Sequence, residues 1–70
     1  MTRAAFIRQV RAQAKSRDVP WRMVRQGAEH EVWMCGPVLV AIPRHRELTR
    51  GVVKDVRRKL EGILGKEWWK

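Results

Sequence analysis

The side chains of this 70-residue chain that could do chemistry form a short set: His30, His45, Cys35, the acids Asp18, Glu29, Glu31, Glu47 and Asp55, and many arginines. No glycine-rich phosphate loop precedes a helix, and no Ser-His-Asp set is present. His30 has the best address. It opens a strand-like run directly after a turn, between two glutamates, in a chain whose net positive field attracts phosphate. Imidazole titrates near neutral pH and can take a proton from a ribose 2′-hydroxyl, while arginine forks stabilise charge building on the phosphoryl oxygens. Only RNA carries that internal nucleophile. On residue type and spacing alone, a strand-edge histidine without chemistry is still the commoner outcome. His45, in the polar run Pro43-Arg44-His45-Arg46, is the candidate general acid, or else a residue that caps the helix after it. Cys35 precedes a Gly-Pro turn, where a free thiol most often serves as a small buried hydrophobe, and it is assigned no role.

The elements that must position these groups are bounded by turn signals near residues 17–20, 26–29, 36–37 and 43–49. Thr2 is a plausible N-cap, and Phe6, Ile7, Val10 and Ala14 form one helical stripe, which predicts a helix over about residues 3–16. Trp21 to Arg25 and His30 to Met34 read as two arms of a hairpin around Gln26-Gly27-Ala28-Glu29. Gly36-Pro37 then reverses the chain into Val38-Leu39-Val40-Ala41-Ile42, a β-branched run expected to be the most buried, central strand, ended by Pro43. Thr49 can cap a second helix with Val52, Val53, Val56, Leu60, Ile63 and Leu64 on one face and Gly65 at its stop. Three valines and Gly62 weaken that helix intrinsically, so it must gain its order by packing. The expected architecture is α+β: α-β-β-β-α, a three-stranded antiparallel sheet with two helices on one face, as a single domain over residues 1–70.

Composition narrows the functional classes. Sixteen Lys or Arg against seven Asp or Glu give a net charge of +9 and an isoelectric point near 11.4. Residues 1–25 hold seven of the basic side chains and one acid, so the first helix and first strand dominate the field. A polyanion is the natural partner. Nucleic acid fits better than lipid, because the first helix lacks the wide aromatic and leucine face of an interfacial anchor. With 44% apolar residues the chain is too hydrophobic for a disordered basic tail, yet a domain this small leaves little room for an enclosed active site. A single cysteine and two histidines supply neither an internal disulfide nor a closed four-ligand zinc site, so no metal or other cofactor is expected and a reducing cytoplasm fits best. The longest uncharged apolar stretch, Cys35 to Pro43, is far too short to span a bilayer. The arginine-bearing N-terminal segment faintly resembles a transit peptide but has no continuous apolar region, and it reads as part of the domain.

Two runs, Gly27-Ala28-Glu29-His30-Glu31-Val32-Trp33 and Ile42-Pro43-Arg44-His45-Arg46-Glu47-Leu48 followed by Thr49, carry a resemblance over nearly the whole chain. Together they resemble the HicA family of messenger-RNA interferase toxins. That family has an α-β-β-β-α domain similar to double-stranded RNA-binding domains. A glycine-containing turn leads to a His-x-apolar-aromatic strand, and an Ile/Val-Pro-x-His signature follows the third strand. The pair of signatures in this order is fairly specific.

The resemblance implies that His30 is the catalytic histidine of a metal-independent endoribonuclease that cleaves mRNA by histidine acid/base catalysis and is neutralised by a HicB-type antitoxin. Arg25 and Arg44 are then candidates to hold the phosphate, Gly27 and His45 to border the RNA, and Arg22 and the arginines of the first helix to track its backbone. Many members place a small polar residue before the histidine, with glycine one further back. Here Glu29 precedes His30 and Gly27 lies three positions before it. A carboxylate there either repels substrate or holds the imidazolium form. Strand alternation puts His30 on one face with Val32 and Met34, so RNA can reach it only at a strand edge or on an open face. Trp33 occupies the family's aromatic position and is a base-stacking candidate, although packing is the commoner use, and Trp21 shares that ambiguity. Trp68 and Trp69 stand too near the end to pack reliably; they fold back over the core or form a patch for a partner. Two other classes stay open: a non-catalytic nucleic-acid-binding module of the same fold, and a basic interaction protein or membrane-surface peptide.

Overall fold

A computed structural model describes residues 1–70. Helix α1 spans Arg3–Ser16, strands β1, β2 and β3 span Trp21–Gln26, His30–Cys35 and Val38–Pro43, and helix α2 spans Arg50–Leu64. The order is the expected α-β-β-β-α. Both helix starts are set by threonine side chains: Ala5 N–H donates to Thr2 Oγ1 (3.1 Å) and Val52 N–H to Thr49 Oγ1 (3.3 Å). These contacts satisfy amides that a first helical turn leaves without a partner. Helix α2 stops at Gly65, whose φ of 97° an L side chain rarely adopts.

The three strands form one antiparallel sheet in the order β1-β2-β3. The central strand is therefore β2, and β3 lies at an edge, which corrects the expectation drawn from its β-branched run. In β3 only Val40 and Ile42 are buried, whereas Leu39 is 57% exposed. The physical reason is that both helices cover the same sheet face. Phe6, Val10 and Ala14 of α1 and Val53, Val56, Leu60 and Leu64 of α2 meet Cys35, Val40 and Ile42 in one core, and the opposite face has no second layer. A hydrophobic run in a two-layer domain is thus half exposed wherever it alternates.

Two local features control where side chains emerge. The β2–β3 hairpin turns at Gly36, with φ of 57°, where a Cβ would stand 3.3 Å from atoms of Ile63 and Val19. In β1 the register shifts between Met23 and Arg25: Arg22 faces Met34 and Arg25 faces Val32, with Val24 as the extra residue. Such a bulge changes which face the following residues occupy. Arg22 and Arg25 consequently share the open face, where strict alternation would separate them.

The C-terminal tryptophans fold back. Trp68 is 2% exposed, and its Nε1–H donates to the Arg57 carbonyl at 2.9 Å, so it belongs to the core despite its position near the end of the chain. Trp69 meets it edge-on at 5.7 Å and carries the Arg57 guanidinium 5.5 Å from its ring centroid. No helix is long and apolar enough to cross a membrane.

Candidate nucleic-acid interface

His30 is exposed and occupies the first position of β2, paired with Pro43 at the end of the β2–β3 ladder. It shares the uncovered face with Val32 and Met34, which answers the accessibility question raised by strand alternation. Three hydrogen bonds bind this corner together. Gly27 N–H donates to the His30 carbonyl (2.8 Å), Arg44 N–H donates to the Glu29 carbonyl (2.9 Å), and Arg44 Nη1 donates to the Gly27 carbonyl (3.1 Å). Gly27 is required by close approach, because a Cβ there would stand 2.9 Å from the His30 carbonyl oxygen. The β1–β2 turn and the loop leaving β3 are thereby fixed around the imidazole's backbone.

The candidate residues do not all converge. Gly27 and Arg44 are joined directly to the His30 corner. Arg25, opposite Val32, lies two ladder positions along, about 7 Å, and Arg22, opposite Met34, lies four along, about 14 Å. His45 is exposed in the loop after β3 and makes no side-chain hydrogen bond; Thr49, not His45, caps α2. The arginines of α1 belong to the helical layer on the other side of the sheet, so they cannot track a strand lying over His30. Arg3 is not free at all, because its guanidinium pairs with Glu31.

That ion pair is what the sequence concealed. Glu31 alternates to the helix-covered face, where it is 8% exposed and accepts from both Arg3 and Trp33 Nε1 (3.2 Å). Arg3 Nε also donates to the Pro43 carbonyl at 3.2 Å. One partly buried polar network, centred on the buried Glu31 carboxylate, therefore links the start of α1, the second residue of β2 and the last of β3. A buried carboxylate needs such compensation. The available signal was parity: Glu31 occupies an inward position of a strand, where a carboxylate needs a cation from the covering layer, and Arg3 opens α1.

Neither flanking carboxylate pairs with the imidazole. Glu31 is turned inward, and Glu29 is exposed and makes no ion pair. Trp33 lies on the covered face and stacks on Trp21, with centroids 4.7 Å apart and planes 16° from parallel. Both indoles are partly buried against the core, which makes them packing groups, the commoner of the two uses open to them on sequence. Cys35 is fully buried, and its removal from water pushes the thiol pKa up. It is a core residue. No cluster of three or more His, Cys, Asp or Glu is assembled that could hold a metal ion.

The open face is therefore an apolar strip of Val32, Met34, Leu39 and Ala41, bordered by Arg22 and Arg25 on one side and ended by His30 and Arg44. Such a surface can hold a phosphate against guanidinium groups and present it to an imidazole. Comparison with protein-family models, curated proteins and solved structures finds no match.

Proposed function

We propose that this chain is the toxin of a toxin–antitoxin pair, a HicA-like endoribonuclease that cleaves mRNA without a metal ion, acts in the cytoplasm and is held inactive by a HicB-type antitoxin. The observation that carries this reading is the placement of His30: exposed, on the uncovered sheet face, at the corner where Arg44 and the Gly27 turn are tied together. The two sequence signatures that resemble the family meet at that corner, one through His30 and the other through Pro43 and Arg44. The +9 charge supports a polyanionic substrate and a partner with an acidic surface.

In the proposed reaction the His30 imidazole takes the proton of a ribose 2′-hydroxyl, and the resulting oxygen attacks the adjacent phosphorus in line. The bond from phosphorus to the 5′-oxygen breaks as the new one forms. The departing oxygen takes a proton from a general acid, for which His45 is the candidate, or from water. The products are a 2′,3′-cyclic phosphate and a free 5′-hydroxyl. Arg44 and Arg25 balance charge on the non-bridging oxygens, and Arg22 holds the strand further along.

A second reading, a non-catalytic nucleic-acid-binding module, is favoured by one observation: no hydrogen bond orients the His30 ring. Incubating a long end-labelled RNA with the protein in excess EDTA, beside His30→Ala with both folds verified by circular dichroism, separates the two. Cleavage by the parent alone, leaving cyclic or 3′-phosphate ends, is expected. Equal cleavage by both proteins overturns the role of His30. Salt-sensitive binding without cleavage moves the assignment to the binding module.

A further inference from the structure

The outer side of α2 carries cations that the corner around His30 does not use. Arg50, Lys54 and Arg58 recur every four residues, so they form one stripe about 12 Å long on the helix surface. All three are exposed, and none forms an ion pair. Like charges at this spacing destabilise a helix, and the first turn has no acid to offset its dipole. The stripe therefore adds positive charge where folding alone would disfavour it.

A cleft of about 800 Å³ runs beside this stripe, with Leu48, Val53 and Trp69 among its apolar lining and Arg50, Lys54 and Arg58 along its rim. Arg57 also lines it, and the Arg57 Nε is buried without a hydrogen-bond partner. The acids at the far end are already engaged: Glu61 accepts from the Glu67 N–H and Glu67 from Lys70 Nζ, each at 3.2 Å. The near end adjoins the loop carrying Arg44 and Arg46, which leaves β3 beside His30.

We infer that Arg50, Lys54 and Arg58 form a second track for RNA phosphates on the helix-covered side of the sheet, which a strand leaving the open face at His30 reaches by turning over the Arg44–Arg46 loop at the β3 edge before it runs along α2. The track rests on the reading that RNA is the substrate, and it adds a length requirement to it. A stripe of this length spans two to three phosphates of an extended strand. RNA reaching past the cut site gains affinity there, and RNA of a few nucleotides does not.

The test is the full chain beside the triple variant Arg50→Gln/Lys54→Gln/Arg58→Gln, whose exposed positions leave the core intact and whose melting temperature is expected to stay level or rise. Binding is measured against salt with a long 2′-O-methylated RNA that cannot be cleaved, and cleavage with a long and a very short RNA. The expected result is a salt slope smaller by about 2 for the variant, matching three lost single-strand phosphate contacts. Affinity for long RNA falls at least tenfold, and cleavage of the short RNA is unchanged. An unchanged slope and affinity overturn the track even if the parent cleaves RNA. If the parent does not cleave but the triple variant loses RNA binding, the ribonuclease reading fails while the track stands. Loss of binding to an acidic peptide or anionic vesicles, with RNA binding intact, also overturns the track.

Discussion

His30 and Pro43 face each other as the terminal pair of the β2–β3 ladder, and that pairing delivers the next residue, Arg44, to the Gly27 carbonyl of the β1–β2 turn. Arg44 is thus a clamp as well as a cation. Replacing it with alanine removes a hydrogen bond worth about 1 kcal/mol, so local opening of the turn is expected to rise about fivefold. Amide exchange at Gly27 is the readout. Under the proposed ribonuclease reading, Arg44→Lys is expected to recover RNA affinity through its charge but only part of the exchange protection; full recovery of both would reduce Arg44 to a point charge.

Behind the same corner, Arg3 and Glu31 form a pair that is one-sided in its sensitivity. Arg3→Met strands a carboxylate that is 8% exposed, and the expected loss is about 2–3 kcal/mol in chemical unfolding. Arg3→Met combined with Glu31→Leu removes the stranded charge and is expected to recover most of that loss. A double variant as unstable as the single one would mean that the pair's shape, and not its charge, organises the corner.

Trp68 closes the core from the C-terminal side, so truncating it opens a cavity and removes the indole hydrogen bond to the Arg57 carbonyl. Trp68→Ala is expected to cost about 3–4 kcal/mol, a large share of the stability of a domain this small. Trp69→Ala, at a half-buried ring, is expected to cost much less. Denaturant midpoints with an unchanged slope check both values; a mild Trp68→Ala effect would place the tail outside the cooperative unit.

The elements were legible because local chemistry and periodicity agreed with each other. Thr2 and Thr49 cap the helices they predict, and Gly36-Pro37 and Gly65 mark real ends. Placement within layers was less legible. Val38 to Ile42 reads as central because β-branched residues are usually buried, but strand order depends on which faces the helices cover, and no single strand encodes that. The Val24 bulge was invisible for a similar reason: Trp21 to Arg25 obeys alternation well enough, and the shift appears only against the partner strand. It matters for the site, since it brings Arg25 to the face of Arg22 and His30. For Trp68 the sequence left two fates open, because a residue so near the end of the chain carries no periodic signal; its burial and its hydrogen bond to the Arg57 carbonyl decide for the core.

Cys35 gives the one pH dependence that burial dictates. Its thiol pKa is raised above the ordinary 9.0 because the folded interior disfavours the thiolate, so the folded state holds the proton longer than the unfolded chain does. The resulting stability is fully present below pH 9.0 and is lost as pH rises from there through the raised folded value. The informative quantity is the difference between the parent and Cys35→Ala, which cancels every pH effect common to the two proteins. Alanine lowers stability at neutral pH by leaving a cavity, and the gap between the two proteins is expected to narrow as pH climbs above 9.0. Iodoacetamide gives an independent check, because a fully buried thiol must await opening of the fold, and labelling is expected to follow the unfolding equilibrium. Rapid labelling of the native protein at pH 8, with a pH-independent gap, would show that the Cys35 environment opens without the rest of the core.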